Sequence, residues 1–130
     1  STTAISGTLA ERIAAVSAII AKAHALPTPL FDAHFVEEQI GDNNLGPADY
    51  RSFARLDVAP DNVAAWQAIL TPLGAAPAYA APQADAAWWL EADHFATLQF
   101  YAPDTLTSRL NGWVAIDAAQ GHIYIFTFTT

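Results

Sequence analysis

The amino-acid sequence predicts an α+β domain: a mainly antiparallel sheet of about five strands, with an N-terminal helix and a second short helix packed on one face. Three features predict this fold class. Apolar residues recur at helical spacing near the N-terminus. Several later stretches alternate between two kinds of side chain, as strands do. Short links between the last strands favour antiparallel pairing.

The length of 130 residues fits a single domain, and folding at this length buries enough surface to need no disulfide or metal. The sequence has no internal repeat that would indicate a repeat architecture. We expect residues 1–7 to be a polar tether and residues 8–130 to be the single α+β domain.

The first helix is predicted over residues 8–25. Thr8 and Glu11 match a capping box, in which two side chains satisfy free amides at a helix start, and Pro27 stops the helix. The helix carries an apolar stripe at helical spacing, formed by Leu9, Ile13, Val16 and Ile20. We expect this stripe to pack on the domain's own sheet. A partner-binding amphipathic helix is the alternative.

Two stretches predict a hairpin with a long loop. Residues 31–40 alternate apolar and polar side chains, although a helix between Pro29 and Gly41 is the alternative. Residues 50–58 alternate more clearly. The intervening residues 41–49 have the composition of a loop.

A second, short helix is predicted from Asp61, as its N-cap, to about Leu70. Val63 and Trp66 lie on the same side of this helix as Leu70 and are expected to face the core. The alanine- and proline-rich residues 74–87 are then expected to form an extended connection.

The stretch from Trp88 to Tyr101 alternates with a period of two, which predicts a strand with a bend near Glu91 to Asp93. In such a strand the even-numbered residues would face the core. The odd-numbered side chains would form an exposed surface of aromatic and acidic groups: Trp89, Glu91, Asp93, Phe95 and Tyr101. Tyr79, from the preceding connection, is expected to join it. The alternative is that the N-terminal helix covers these side chains.

Residues 111–130 form the clearest predicted hairpin, closed by a short loop in which Gly121 takes a positive φ. If Asp117 opposes His122, one face of the hairpin is aliphatic and the other is mainly aromatic. Because both faces are apolar, we expect this hairpin in a central part of the sheet, with helices over at least one side.

The composition is acidic, with thirteen Asp and Glu residues against five Lys and Arg residues and a net charge of −8. Nucleic-acid binding requires clusters of basic residues, and Arg51 with Arg55 is the only close pair, so none is expected. No stretch is apolar enough for a membrane span. An acidic domain suits a basic protein partner; high solubility alone is the alternative explanation.

The sequence contains no cysteine, which excludes disulfides and thiolate chemistry. It also contains no methionine, so we expect that an initiator or a leader was removed before Ser1. A periplasmic or secreted protein is therefore expected, and a cytoplasmic protein is the alternative.

Four histidines raise the question of a metal or catalytic site, with Asp32-x-His34 and Asp93-His94 as candidate ligand pairs. No short-spaced histidine motif is present, so neither a metal nor a cofactor is predicted. The sequence also lacks a nucleophile elbow and a glycine-rich phosphate loop, so no catalytic residue is assigned. An enzyme is not the favoured interpretation.

The loop sequence Asp42-Asn43-Asn44 resembles the start of a calcium-binding loop. The following residues lack EF-hand spacing, because no glutamate closes the loop. Asn, Asp and Gly are common in turns, so a turn is predicted here.

The first functional hypothesis is a non-catalytic exported interaction protein, of the inhibitor or immunity type, that binds a basic partner through the aromatic and acidic surface. The alternative is a small enzyme or ligand-binding domain with a pocket between helix and sheet. Trp66, Trp88 and Phe100 would line that pocket, with His34 or His94 as its polar group. A structural module that pairs through a sheet edge is the third hypothesis.

Overall fold

The computed structural model describes residues 1–40 and 49–129, so the predicted turn at Asp42-Asn43-Asn44 lies outside the described residues. The described residues form one antiparallel sheet with the strand order β1-β2-β3-β6-β5-β4. The strands are β1 (Thr2–Ala4), β2 (Asp32–Ile40), β3 (Asp49–Asp57), β4 (Gln99–Tyr101), β5 (Gly112–Asp117) and β6 (His122–Phe128). The helices are α1 (Leu9–Ile20), α2 (Val63–Ile69), α3 (Ala92–Phe95) and α4 (Asp104–Thr107). The α+β class is confirmed, with six strands in the sheet.

Helix α1 begins as predicted, because Thr8 and Glu11 form the capping box. It ends at Ile20, earlier than predicted, since the amide of Ala23 donates to Leu106 O (3.0 Å) instead of continuing the helix. Ile13, Val16 and Ile20 of its apolar stripe pack in the core beside the sheet, which confirms the core interpretation for them, whereas Leu9 is exposed. No helix in the described ranges combines the length and apolar character that a membrane span needs.

Both predicted hairpins are confirmed. Strands β2 and β3 pair along their whole length, with Phe35 opposite Ala54, so the strand interpretation of residues 31–40 is correct. Strands β5 and β6 pair in the predicted register, with Asp117 opposite His122. Strand β6 also pairs with β3, which places the C-terminal hairpin centrally in the sheet as predicted.

The sheet is buried on both faces. One face is aliphatic and packs with α1 and α2, and its Leu56 and Ile123 are fully buried. The two predicted helices therefore lie on one face of the sheet, as expected. The other face is aromatic and includes Phe53, Trp113, Tyr124 and Phe126. Residues 73–98, which we term the covering segment, supply most of the side chains that pack over this aromatic face.

The covering segment has little regular structure, and side chains pair much of its backbone. The buried Glu38 accepts the amides of Gln83 (3.1 Å) and Ala84 (2.8 Å). Within residues 78–90, five carbonyls accept bonds from side chains: Ala78 from Trp113, Ala80 from Trp89, Ala81 from Arg51, Trp88 from Arg55, and Leu90 from Tyr79. Because buried backbone groups need partners, these bonds allow an irregular chain to cover the sheet.

The predicted strand over residues 88–101 is wrong for most of its length. Ala92–Phe95 are helical, and only Gln99–Tyr101 form a strand. Adjacent side chains of a strand point to opposite faces, yet Trp88 and Trp89 both lie against the aromatic face. Trp88 stacks on a histidine of β2, and Trp89 packs edge-on against a phenylalanine of β3. An extended chain cannot make both contacts.

Two local features also differ from the prediction. Asp61 does not cap α2, because Pro60–Asn62 form a 3-10 turn that leads into the helix without a side-chain cap. Proline favours the first position of such a turn, since its φ is already fixed there. In the segment predicted as a tether, Thr2–Ala4 form β1 and pair with β2 at the sheet edge. All three β1 residues are exposed, so no apolar alternation marks this strand in the sequence.

Gly121 provides a test of the β5–β6 turn, where its φ is +73° and an added Cβ would lie 2.0 Å from Val58 O. We predict that Gly121→Ala lowers the free energy of unfolding by about 2 kcal/mol or more, because alanine disfavours the left-handed region and meets the Val58 carbonyl. Gly74→Ala is the control, since nothing lies within 4 Å of a Cβ there. Urea unfolding should show a change below about 0.5 kcal/mol for the control. Equal losses in the two variants would contradict the turn assignment.

Glu38 tests the attachment of the covering segment. We predict that Glu38→Ala lowers the free energy of unfolding by roughly 2–3 kcal/mol, because the amides of Gln83 and Ala84 lose a charged acceptor. It should also speed limited proteolysis within residues 78–90, where the segment loosens. Glu91→Ala is the control, because Glu91 is exposed on the same segment. If proteolysis of Glu38→Ala matched that of the control, Glu38 would not hold the segment in place.

Candidate functional site

The structure does not bring the predicted docking residues to one exposed surface. Trp89 and Phe95 are 8% and 5% exposed and pack in the aromatic core, and Tyr79 is half-buried beside them. Tyr101 is also buried, but on the opposite, aliphatic face of the sheet. The acids Glu91 and Asp93 are exposed. The predicted surface is therefore not formed as expected, because its aromatic members belong to the two cores.

The alternative pocket between helix and sheet is not assembled either. Trp66 is fully buried in the aliphatic core, where its indole donates to Thr28 Oγ1 (2.8 Å). Trp88 and Phe100 pack against the aromatic core on the other side of the sheet. These side chains cannot line one pocket, because the sheet separates them.

A polar row crosses four adjacent strands at one end of the sheet. Its members are direct cross-strand neighbours: Asp32 of β2 opposes Asp57 of β3, Asp57 opposes His122 of β6, and His122 opposes Asp117 of β5. By strand alternation all four project from the aromatic face. We term Asp32, Asp57, His122 and Asp117 the polar row. Sequence reasoning identified only the Asp117–His122 pair, because pairing between β3 and β6 is not visible in the sequence.

Two arginines hold two carboxylates of the polar row. Arg55 Nε and Nη2 donate to the two oxygens of Asp57 at 2.8 and 3.0 Å. Arg12 Nη2 donates to Asp32 Oδ1 at 2.8 Å, and the amide of Ala33 donates to the same oxygen at 2.7 Å. These hydrogen bonds therefore fix the orientation of both carboxylates.

His34 and His94 border the polar row on either side. His34 lies two residues further along β2 on the same face, its ring stacked on Trp88 with centroids 5.4 Å apart. His94 Nε2 of α3 lies 3.0 Å from Asp117 Oδ2. His94 is thus one-third exposed and paired with a buried acid, not a core residue as predicted. Three of the four histidines of the chain gather at this end of the sheet.

Burial sets the protonation of two of these histidines. It lowers the pKa of His34 and of His122 below the ordinary value, because it disfavours the charged ring, and the positive charge of Arg55 acts in the same direction. Nearby aspartates oppose the shift without reversing it. Both rings are therefore mainly neutral at pH 7 and can accept a proton or bind a cation.

The pKa values of two acidic groups near the histidines are also shifted. Burial acts to raise the pKa of Asp32, but hydrogen bonds from Arg12 and the Ala33 amide hold it below its ordinary value. Burial raises the pKa of the Tyr124 phenol. Neutral imidazoles beside charged carboxylates can serve as metal ligands or as proton acceptors.

Three residues place ligand-type atoms close together. One atom each from Asp32, His34 and Asp57 lie within 4.8 Å of one another, and all three residues are half-buried. The sequence signal for two of them, Asp32-x-His34, was present. Asp57 joins them only through the β2–β3 register.

Beside the row, His94 and Asp117 line an open groove of about 430 Å³. Gln67 and Gln99 also line it, with the amide of Gln67 donating to Gln99 Oε1 at 3.1 Å. The groove therefore presents an imidazole and two amides next to a buried carboxylate. Comparisons with models of protein families, with curated proteins and with solved structures found no match for this chain.

His122 leads to a pH prediction. Because its folded-state pKa lies below that of the unfolded chain, the unfolded chain binds the proton more readily. The free energy of unfolding should therefore be fully maintained above about pH 7 and fall as the pH drops below about 6.5. His122→Gln should reduce this loss between pH 7 and pH 5, measured by chemical unfolding at each pH.

The matched control is His24→Gln, since His24 is exposed in the α1–β2 connection. It should leave the pH dependence between pH 7 and pH 5 unchanged. A His122→Gln profile that overlays the unsubstituted protein would show that burial of this ring does not govern the pH response.

Proposed function

We propose that this protein is a non-catalytic exported protein that binds a basic protein partner, in the manner of an inhibitor or immunity protein. One observation supports the proposal most: the basic side chains of the chain are mostly engaged inside the fold, while many acids face water. This division of charge is a product of folding, and composition alone does not require it.

The arginines pair with internal acceptors. Arg12, Arg55 and Arg109 lie within ion-pair distance of Asp32, Asp57 and Glu37 at 2.8, 2.8 and 3.7 Å. Arg51 donates to a carbonyl of the covering segment and lies over the rings of two phenylalanines. Among the described residues, Lys22 is exposed and the Arg109 side chain is 40% exposed, whereas Arg12 and Arg55 are half-buried.

The exposed acids are numerous by comparison. In the described ranges they are Glu11, Asp49, Asp61, Asp85, Glu91 and Asp93. No ion pair joins any of them to another described residue. Asp85, Glu91 and Asp93 all belong to the covering segment. The outer side of that segment therefore carries negative charge without a compensating cation.

Such a surface supports electrostatic recognition. A field of one sign speeds encounter with an oppositely charged partner and depends on ionic strength. The buried Trp89 and Phe95 support the segment from below by packing in the aromatic core. The acids Glu91 and Asp93 would make the contact.

The proposal predicts that two acids contribute to partner capture. A pull-down from the secreted or envelope fraction of the source cell should retain a basic protein at low salt and release it at high salt. With the isolated partner, the double variant Glu91→Gln/Asp93→Asn should lower the association rate at low ionic strength by on the order of tenfold. Stopped-flow or surface-based kinetics would measure it.

The matched control is Asp49→Asn/Asp61→Asn, which changes the net charge equally but at exposed positions outside the covering segment. Its effect on the association rate should be clearly smaller. Equal effects of the two variants would assign the interaction to overall charge. Capture that is insensitive to salt and to both variants would contradict the proposal.

A second candidate function is a small enzyme or ligand-binding domain, and the groove beside His94 favours it. A buried carboxylate 3.0 Å from an imidazole nitrogen orients the ring and supports proton transfer by it. A small polar ligand there would be recognised by Gln67 and Gln99 together with His94. This candidate differs from the first because its contacts lie in the groove and not on the acidic outer side of the covering segment.

A further inference from the structure

Asp32, His34 and Asp57 form a cluster whose geometry the proposed function does not use. His34 Nε2 lies 3.5 Å from Asp32 Oδ2. Asp57 stands opposite Asp32 on the neighbouring strand, and one ligand-type atom of each of the three residues falls within a span of 4.8 Å. The cluster joins one imidazole nitrogen to two carboxylate oxygens.

The separation between His34 and Asp32 matches the spacing of two ligands on one metal ion. A strong hydrogen bond between imidazole and carboxylate spans about 2.7–3.2 Å, and the 3.5 Å between His34 and Asp32 exceeds it. Ligand atoms at 2.0–2.2 Å from a tetrahedral ion lie about 3.4 Å from one another. The observed separation is therefore close to the edge of a coordination tetrahedron.

The three side chains are already held in place. Asp32 uses Oδ1 for Arg12 and the Ala33 amide, which leaves Oδ2 directed towards His34. Each carboxylate oxygen has two lone pairs, so Asp57 can bind a cation while it remains hydrogen-bonded to Arg55. Outer contacts of this kind orient metal ligands in proteins.

We propose that Asp32, His34 and Asp57 bind a divalent transition-metal ion, with Zn²⁺ as the ion of best fit. A mixed set of imidazole and carboxylate ligands suits zinc. His122, whose Nε2 lies 3.8 Å from Asp57 Oδ1, is placed to supply a further ligand from β6. Without His122, the three protein ligands would leave a coordination position open to water or to a group from a partner. The proposal stands independently of the acidic docking surface.

The competing explanation is purely structural: the cluster would be a set of ion pairs that joins β2, β3 and α1. The two explanations differ in what His34 does. In the structural case, Arg12 and Arg55 neutralise the carboxylates and His34 adds only stacking on Trp88. In the metal case, removal of the imidazole weakens ion binding even when the fold is intact.

The test is a titration of chelator-treated protein with ZnCl₂, followed by calorimetry and by thermal unfolding. We expect one Zn²⁺ per chain and a rise in the melting temperature. His34→Ala and Asp32→Asn should each weaken binding tenfold or more. Co²⁺ should give visible absorption bands that Zn²⁺ displaces. His24→Ala is the control and should bind as the unsubstituted protein does.

Folding of each variant is checked by circular dichroism and urea unfolding without metal. If His34→Ala fails to fold, Asp32→Asn is used for the test. Asparagine keeps a side-chain oxygen that accepts the Arg12 hydrogen bond but loses the negative charge. The proposal is overturned if the unsubstituted protein shows no saturable binding of one Zn²⁺. It is also overturned if folded His34→Ala or Asp32→Asn binds Zn²⁺ normally, or if binding is lost in His24→Ala.

Discussion

The need to cover the aromatic face of the sheet is the constraint on which the rest of the structure depends. The central strands are apolar on both faces of the sheet, and α1 and α2 can bury only one of these faces. The chain that buries the other is rich in alanine and proline and cannot pair its own backbone in a long helix. Side chains from the sheet, such as Glu38 and Trp113, pair that backbone instead. Apolar packing and hydrogen bonding therefore act on the same segment and support each other.

This arrangement also decides which charges reach water. Arg51 and Arg55 each donate to carbonyls of the covering segment, so their charge is taken up in holding the second layer. Asp85, Glu91 and Asp93 of that layer are exposed, and no ion pair joins them to another described residue. The exposed acids and the paired arginines are therefore two results of the same folding event.

Local sequence patterns predicted the two hairpins. The features that the sequence did not predict depend on contacts between residues far apart in the chain. The β5–β6 register followed from a two-residue alternation and one glycine, because both signals lie within the hairpin. The alternation within the covering segment did not correspond to a strand. Trp88 and Trp89 both pack against the aromatic face, which is formed by strands far away in the sequence. A four-residue helix such as α3 is too short to show a helical period. Asp57 lies in the candidate site because β3 pairs with β2 and β6, and no local sequence pattern predicts the β3–β6 pairing.

The position of the polar row follows from the same covering layer. Along the aromatic face, Trp113 and Tyr124 are 2% and 3% exposed, whereas the Asp32, Asp57 and His122 side chains at the sheet end are 17–28% exposed. Charged groups are tolerated where water still reaches them and would be costly further in. Strand register then gathers the polar ends of four strands at one place. Asp32, Asp57 and His122 are therefore partly open to water, whereas Asp117 is buried and is paired with His94 instead.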